Sequence, residues 1–124
     1  MLNLDTHVFL YAVTGDLRPA EHSLLGGQPW SISAIVLWEI AKLAQLDRIE
    51  VDLEDRQVVR ALRSVHLWPI TAEIARESMR LDVRGDPADE LIGATSIVHE
   101  VPLVTRDRSL SRSRKIPLAR ASAR

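Results

Sequence analysis

The stretch Gly-Asp-Pro-Ala-Asp-Glu-Leu-Ile-Gly-Ala-Thr-Ser, residues 85–96, predicts a helix that begins with acidic side chains. Asp86 suits the N-cap position, and Pro87 suits the first helical position because its missing N–H needs no partner there. Apolar residues from Leu91 onward begin a buried stripe. Asp89 therefore falls in the first helical turn, where a carboxylate can either stabilise the helix dipole or hold a metal ion.

Short apolar segments on either side of this helix predict strands that end at an acid. Residues 102–105 form one such segment, before Asp107, and residues 2–4 form another, before Asp5 and a helix over 7–13. The other predicted elements are helices over 20–25, 34–46, 53–65 and 72–81, and strands over 30–33, 66–70 and 116–118. Strands that alternate with helices predict a single α/β domain over residues 1–124, with a parallel sheet covered by helices on both faces.

The composition limits the classes of function. The chain has 124 residues, of which 46% are hydrophobic and 27% charged, and it has no cysteine. Disulfides, thiolate metal sites and cysteine nucleophiles are therefore excluded. Apolar runs fall short of the ~20 residues that a membrane span needs, and the N-terminus lacks a signal-like pattern, so we expect a cytoplasmic protein without a membrane partner. The three tryptophans, Trp30, Trp38 and Trp68, are expected to be core residues.

Positive charge is concentrated at the C-terminus. Residues 1–105 carry 9 basic and 16 acidic side chains, a net charge of −7, whereas residues 106–124 carry 7 basic side chains and one acid, a net charge of +6. A basic segment after an acidic body indicates a polyanionic partner such as nucleic acid, and the alternative is a solvated chain end. The candidates for phosphate contact are Arg106, Arg108, Arg112, Arg114 and Lys115.

Four carboxylates are predicted to converge. Ligands of parallel sheets bind at the carboxyl ends of the strands, where Asp5 and Asp107 stand, and Asp89 opens a helix at the same edge. Glu39 lies on an apolar helix face, where a carboxylate is costly unless it is paired or binds an ion. Carboxylates without cysteine or paired histidine favour Mg²⁺ or Mn²⁺ over zinc. We predict Asp5, Glu39 and Asp89 as the main metal-binding residues and Asp107 as an outer one, all four serving a metal-dependent phosphodiester cleavage.

Each of these acids also has a purely structural explanation. Asp5 and Asp107 could cap helices, Asp89 could interact only with the helix dipole, and Glu39 could pair with Lys42 one turn away. These alternatives stay open for each residue taken alone. The convergence of four such acids on one sheet edge is what favours a catalytic site.

Four motifs together resemble the PIN-domain ribonucleases, in particular the VapC-like toxins of type II toxin–antitoxin systems. The motifs occur in the family's order and span most of the chain. They are Leu4-Asp5-Thr6-His7-Val8, Leu37-Trp38-Glu39-Ile40-Ala41, the stretch from Asp86 to Thr95, and Leu103-Val104-Thr105-Arg106-Asp107.

The resemblance implies a three-layer α/β/α fold with a mostly parallel five-stranded sheet. It also implies an endoribonuclease toxin that uses Mg²⁺ or Mn²⁺, acts on RNA, often forms a homodimer and is neutralised by a cognate antitoxin that inserts into the active-site groove. The family's acidic residues correspond to Asp5, Glu39, Asp89 and Asp107, and His7 receives no metal. Glu90 departs from the family pattern, since many relatives carry arginine at that position.

Two other functions fit parts of this pattern. One is a catalytically inactive PIN-like binding module, against which the intact acids argue. The other is a receiver-like phosphoacceptor domain, which needs an acidic pair after the first strand and a lysine after a late strand. Asp5 stands alone after the first strand, and Arg106-Asp107 follows the late one.

Overall fold

The computed structural model describes residues 1 to 120, which contain four strands and seven helices. In chain order these are β1 Leu2–Leu4, α1 Thr6–Thr14, α2 Pro19–Leu25, β2 Trp30–Ser33, α3 Ile35–Gln45, α4 Arg56–Ser64, β3 His66–Trp68, α5 Ala72–Ser78, α6 Pro87–His99, β4 Leu103–Val104 and α7 Arg108–Ser111. No helix in this range has the length and apolar character needed to cross a membrane. The end of the predicted basic segment 106–124, residues 121–124, lies outside the described residues, and the single-domain assignment over 1–124 stays a prediction.

The sheet is parallel throughout, in the order β3-β2-β1-β4. The interior strand β1 is buried on both faces. The Asn3 amide donates a hydrogen bond to Ser96 Oγ of α6 at 2.9 Å, and Leu4, which points to the opposite face, is also fully buried. Helices therefore cover both sides of the sheet, which confirms the predicted α/β class with its parallel sheet and helical layers.

The prediction of a fifth strand over 116–118 is wrong for the described residues. That segment makes only an isolated parallel bridge, between Leu118 and Leu103 of the edge strand β4. The backbone N–H of Leu103 donates to Pro117 O at 2.8 Å. Proline has no N–H to extend the pairing, and β4 itself is only two residues long, so a ladder cannot continue.

Several elements are shorter than their patterns predict. Strand β3 ends at Trp68 because Pro69 cannot donate to the sheet. Helix α4 begins after Asp55, the N-cap, rather than at residue 53. Helix α5 ends at Ser78 rather than at residue 81.

Helix α3 turns Trp38 away from the core. Val36 and Ile40 are fully buried, whereas Trp38 is 57% and Leu46 50% exposed. At 100° per residue, Trp38 lies about 200° around the helix from both buried residues. The expectation that Trp38 is a core residue is therefore wrong. Glu39 lies one position before Ile40, at the edge of the buried face, which leaves its carboxylate half-buried.

The core that holds these elements together is aliphatic except for one phenylalanine. Phe9 of α1 is the largest fully buried side chain and packs in the same cluster as Leu4 of β1 and Ile92 of α6. Asp5 lies between β1 and α1, and Asp89 opens α6. The packing of this cluster thus fixes the positions of two candidate site residues.

Candidate active site

Asp5 joins β1 to α1 and is buried. Its Oδ1 accepts a hydrogen bond from Val8 N at 2.8 Å, so it caps α1. Its Oδ2 accepts from the hydroxyl of Thr105, which follows the neighbouring strand β4. Burial raises the pKa of Asp5, and the hydrogen bonds from Thr105 and Val8 only partly oppose that rise. The capping alternative for Asp5 is correct and does not exclude a place in the site.

Glu39 reaches the same edge of the sheet from the second turn of α3. Its Oε1 accepts a hydrogen bond from the Thr6 hydroxyl, at the residue directly after Asp5. Lys42 donates instead to Gln45 Oε1 at 2.8 Å, so the alternative of a Glu39–Lys42 pair is wrong. Burial raises the pKa of the Glu39 carboxyl.

The two aspartates at the start of α6, Asp86 and Asp89, have different roles. Asp86 occupies the N-cap position before Pro87, as predicted, but its side chain makes no capping hydrogen bond. Asp89 lies in the first turn, and no hydrogen bond joins its carboxylate to any residue between 1 and 120. Asp86 therefore starts the helix through its backbone conformation, and both carboxylates are left available to a cation.

Asp107 follows β4 and caps α7, since its Oδ1 accepts from Leu110 N at 2.9 Å. The capping alternative for Asp107 is thus correct as well. Its backbone N–H donates to Thr105 Oγ1 at 3.0 Å, and the Thr105 hydroxyl in turn donates to Asp5. One threonine therefore ties together the two acids that follow adjacent strands.

All four predicted acids line one cavity of about 300 Å³, to which Asp86 also contributes. Its lining is Asp5, His7, Tyr11, Glu39, Asp86, Asp89, Arg106 and Asp107. Burial, followed by the charges of Glu39, Asp107, Asp86 and Asp5, raises the pKa of Asp89 to about 7. The cavity is therefore an acidic pocket, and a bound cation would relieve the repulsion among its carboxylates.

The pocket fits a hard cation in its chemistry, because carboxylate oxygens are its most numerous potential ligands. Within residues 1 to 120, however, no three His, Cys, Asp or Glu side chains are already arranged to enclose an ion. Asp5 and Glu39 are held by threonine hydroxyls, whereas Asp89 is not. Side-chain rotation would have to bring the carboxylates onto an ion.

Sequence reasoning missed two residues of this region, Tyr11 and Glu21. Tyr11 lines the cavity from α1 together with His7, and the spacing of four residues between them places both on one helix face. Glu21 of α2 binds Arg106 through two hydrogen bonds of 2.7 Å. The helical spacing could have indicated Tyr11, but no local pattern connects Glu21 with a residue 85 positions later.

The predicted basic contacts are distributed unevenly. Arg106 lines the carboxylate cavity. The side chains of Arg108, Arg112 and Arg114 are exposed. Lys115 donates to Arg80 O at 2.6 Å and lies 3.6 Å from Glu77, on the side of α5. Their role in RNA binding stays a prediction.

Comparison with known proteins places this architecture in a family. The family model described as PIN domain matches residues 3–116. The chain belongs to the PIN domain family. The match includes all four predicted acids of the cavity.

Individual relatives of this PIN domain share most of its length. It is 33% identical over 121 residues to Ribonuclease VapC22 of Mycobacterium tuberculosis, an alignment that covers 92% of each chain. Among solved structures it resembles VapBC2 from Rickettsia felis bound to a promoter DNA fragment, with a TM-score of 0.71, 19% identity and coverage of 95% and 97%. A toxin–antitoxin complex from Klebsiella pneumoniae gives a TM-score of 0.68, 21% identity and coverage of 90% and 92%. At these identities, the two structures support the fold alone.

We expect the metal-free PIN domain to lose stability as the pH rises from about 5 to 8. The Asp89 pKa lies at about 7 in the folded chain, against a reference value of 3.8. The folded state thus binds more protons in this interval, and the free energy of unfolding falls by about 1–2 kcal/mol after allowance for solvent screening. Asp5 and Glu39, whose pKa values are also raised, act in the same direction, whereas Glu21 and Asp82, whose pKa values are lowered, contribute a nearly constant amount there.

Urea denaturation in EDTA at the two ends of this pH range measures the change in the free energy of unfolding. In Asp89→Asn we expect a smaller fall and a more stable protein at the higher pH. The control is Asp47→Asn, an exposed site with φ 55°, a backbone conformation that asparagine adopts readily. A pH dependence unchanged by Asp89→Asn would contradict the assignment.

Proposed function

We propose that this PIN domain is a metal-dependent endoribonuclease toxin that cleaves RNA phosphodiester bonds. The observation that carries the proposal is the convergence of Asp5, Glu39, Asp89 and Asp107 on one acidic cavity. The similarity to Ribonuclease VapC22 over 92% of the chain supports the same substrate class.

The four carboxylates would hold Mg²⁺ or Mn²⁺, with Asp5, Glu39 and Asp89 as the main ligands and Asp107 as an outer one. When bound, the ion would polarise water and offset negative charge at the phosphate. The protein's contribution is to hold the carboxylates in place: the Thr105 hydroxyl orients Asp5 and the Thr6 hydroxyl orients Glu39. The unbonded Asp89 carboxylate would lose its proton as the cation neutralises the pocket.

The test is cleavage of cellular RNA with Mg²⁺, with Mn²⁺ and with EDTA, by the wild type and by Asp5→Asn. Asparagine keeps an oxygen that can accept from Val8 N, so α1 keeps its cap while the site loses a charge. We expect cleavage only with metal and a loss of about 10²-fold or more in Asp5→Asn, as when a metal's electrostatic stabilisation is removed. Equal activity in both proteins would contradict the proposal.

An inactive binding module is the second candidate, and calorimetric titration with Mn²⁺ alongside the cleavage assay separates the two. Metal binding without cleavage of any RNA would favour the module. A receiver-like phosphoacceptor has no support in the site, because the first strand is followed by a single acid and Arg106 stands where a lysine is needed.

We also infer a cognate antitoxin as the protein partner of this domain. The inference rests on the fold it shares with the VapBC2 and Klebsiella pneumoniae toxin–antitoxin complexes. Homodimerisation and a cytoplasmic location stay predictions from the sequence.

A further inference from the structure

Within residues 1 to 120, Arg106 is the single lysine or arginine that lines the carboxylate cavity, and the protein holds it in a fixed position. Its Nε donates to Glu21 Oε2 and its Nη2 to Glu21 Oε1, both at 2.7 Å. Nη2 also donates to Asp16 O at 3.2 Å. A two-bonded carboxylate contact fixes the plane of a guanidinium as well as its place.

Tyr11 supports the same group from α1. The guanidinium carbon of Arg106 lies 3.9 Å from the centre of the Tyr11 ring, which is the stacked geometry of a cation on an aromatic face. Tyr11 itself lines the cavity. Tyr11 of α1, Glu21 of α2 and Asp16 between these helices therefore all contact the Arg106 side chain.

The anchoring leaves part of the guanidinium free. Within residues 1 to 120, the hydrogen bonds of Arg106 to Glu21 and Asp16 use Nε and Nη2 rather than Nη1, and the side chain keeps 22% of its surface exposed. Arginine presents planar N–H donors that match phosphate oxygens. A polyanion that approaches five carboxylates meets repulsion, which a fixed cation at the same cavity would offset.

We propose that Arg106 is a phosphate clamp for the RNA, with Glu21 and Tyr11 as the residues that position it. The proposal rests on the ribonuclease function and names the group that binds a phosphate of the substrate beside the carboxylates. Glu21 has a second role, since its Oε1 also accepts from Arg18 N at 2.7 Å and caps α2. The competing explanation is a structural staple, in which the Arg106–Glu21 pair only holds α2 against the segment after β4.

The first measurement is binding of a short fluorescent single-stranded RNA over a range of salt concentrations. It uses the Asp89→Asn background in EDTA, so that no cleavage is needed. We expect Arg106→Gln to weaken binding by about tenfold and to reduce the slope of log affinity against log salt by about 0.7, the loss of one single-strand phosphate contact. Arg60→Gln, at an exposed arginine of α4, is the matched control and should leave the slope unchanged.

The second measurement is a double-mutant cycle on cleavage by the otherwise wild-type protein. Glu21→Gln keeps an oxygen that can accept from Arg18 N, but it loses the carboxylate that accepts two hydrogen bonds from Arg106. Arg106→Lys keeps the positive charge but loses the planar pair of N–H donors. We expect each to lower kcat/KM by about 3- to 10-fold, and the double variant to be no worse than either single one, because residues that act as a unit are not additive. Tyr11→Phe, which keeps the aromatic face, should lower kcat/KM less than Tyr11→Leu does.

The outcomes separate this inference from the ribonuclease function. Metal-dependent cleavage by the wild type, together with an unchanged salt slope in Arg106→Gln, would overturn the clamp and leave the nuclease standing. A lowered melting temperature with an unchanged slope would establish the staple instead. No RNA binding and no cleavage by the wild type would overturn both proposals.

Discussion

Asp89→Asn is expected to lower kcat/KM for RNA cleavage by about 10²–10³-fold, equivalent to ~3–4 kcal/mol of transition-state stabilisation. The substitution keeps the shape of the side chain and removes its charge. The Asp89 carboxylate makes no hydrogen bond to residues 1 to 120, so the change breaks no side-chain hydrogen bond of the fold. The loss would therefore report on cation binding rather than on structure.

Cleavage of a fluorescent RNA with Mn²⁺ or Mg²⁺ gives the rate, and calorimetry with the same ion gives the metal affinity. Both should fall in Asp89→Asn and stay at the wild-type level in Asp47→Asn, the exposed control. The same variant should also be more stable than the wild type without metal above neutral pH, because burial and the neighbouring carboxylates hold the Asp89 pKa at about 7. A rise in stability combined with full activity would show that Asp89 is not part of the catalytic site.

Phe9→Ala is expected to lower the free energy of unfolding by about 3–5 kcal/mol, the usual cost of a cavity left by a buried aromatic side chain. Phe9 is the largest fully buried side chain and lies on α1, the helix that Asp5 caps. Since domains of this size are stable by only about 5–15 kcal/mol, this change removes a large part of the total.

Urea denaturation followed by tryptophan fluorescence measures the effect. Met79→Ala is the control, because Met79 is 76% exposed, and it should change stability by less than about 0.5 kcal/mol. Phe9→Leu should lose less than Phe9→Ala, since it keeps most of the buried apolar volume. Similar losses for Phe9→Ala and Met79→Ala would show that Phe9 is not central to the core.

Hydrophobic periodicity and helix-start chemistry predicted most of the elements correctly, and both signals are local. The Asp86-Pro87 start of α6 and the strand before Asp5 follow from residues that are neighbours in the chain. The ends of the helices and strands, and the side of a helix that faces the core, were less predictable. Trp38 fits an apolar stripe by composition, but the choice of which side of α3 faces the core depends on where β2 and α6 lie.

The sequence by itself determined the parallel α/β class, the helix-starting role of the Asp86 backbone and four acids able to meet at one sheet edge. The reason is that strand polarity fixes the edge at which residues after parallel strands emerge. Only the tertiary structure decided that Asp5 and Asp107 share Thr105, and that Asp89 stays unbonded. Only the fold, likewise, brings Glu21 and Tyr11 onto Arg106. These contacts join segments up to 100 residues apart, and no local pattern of residue types encodes such a distance.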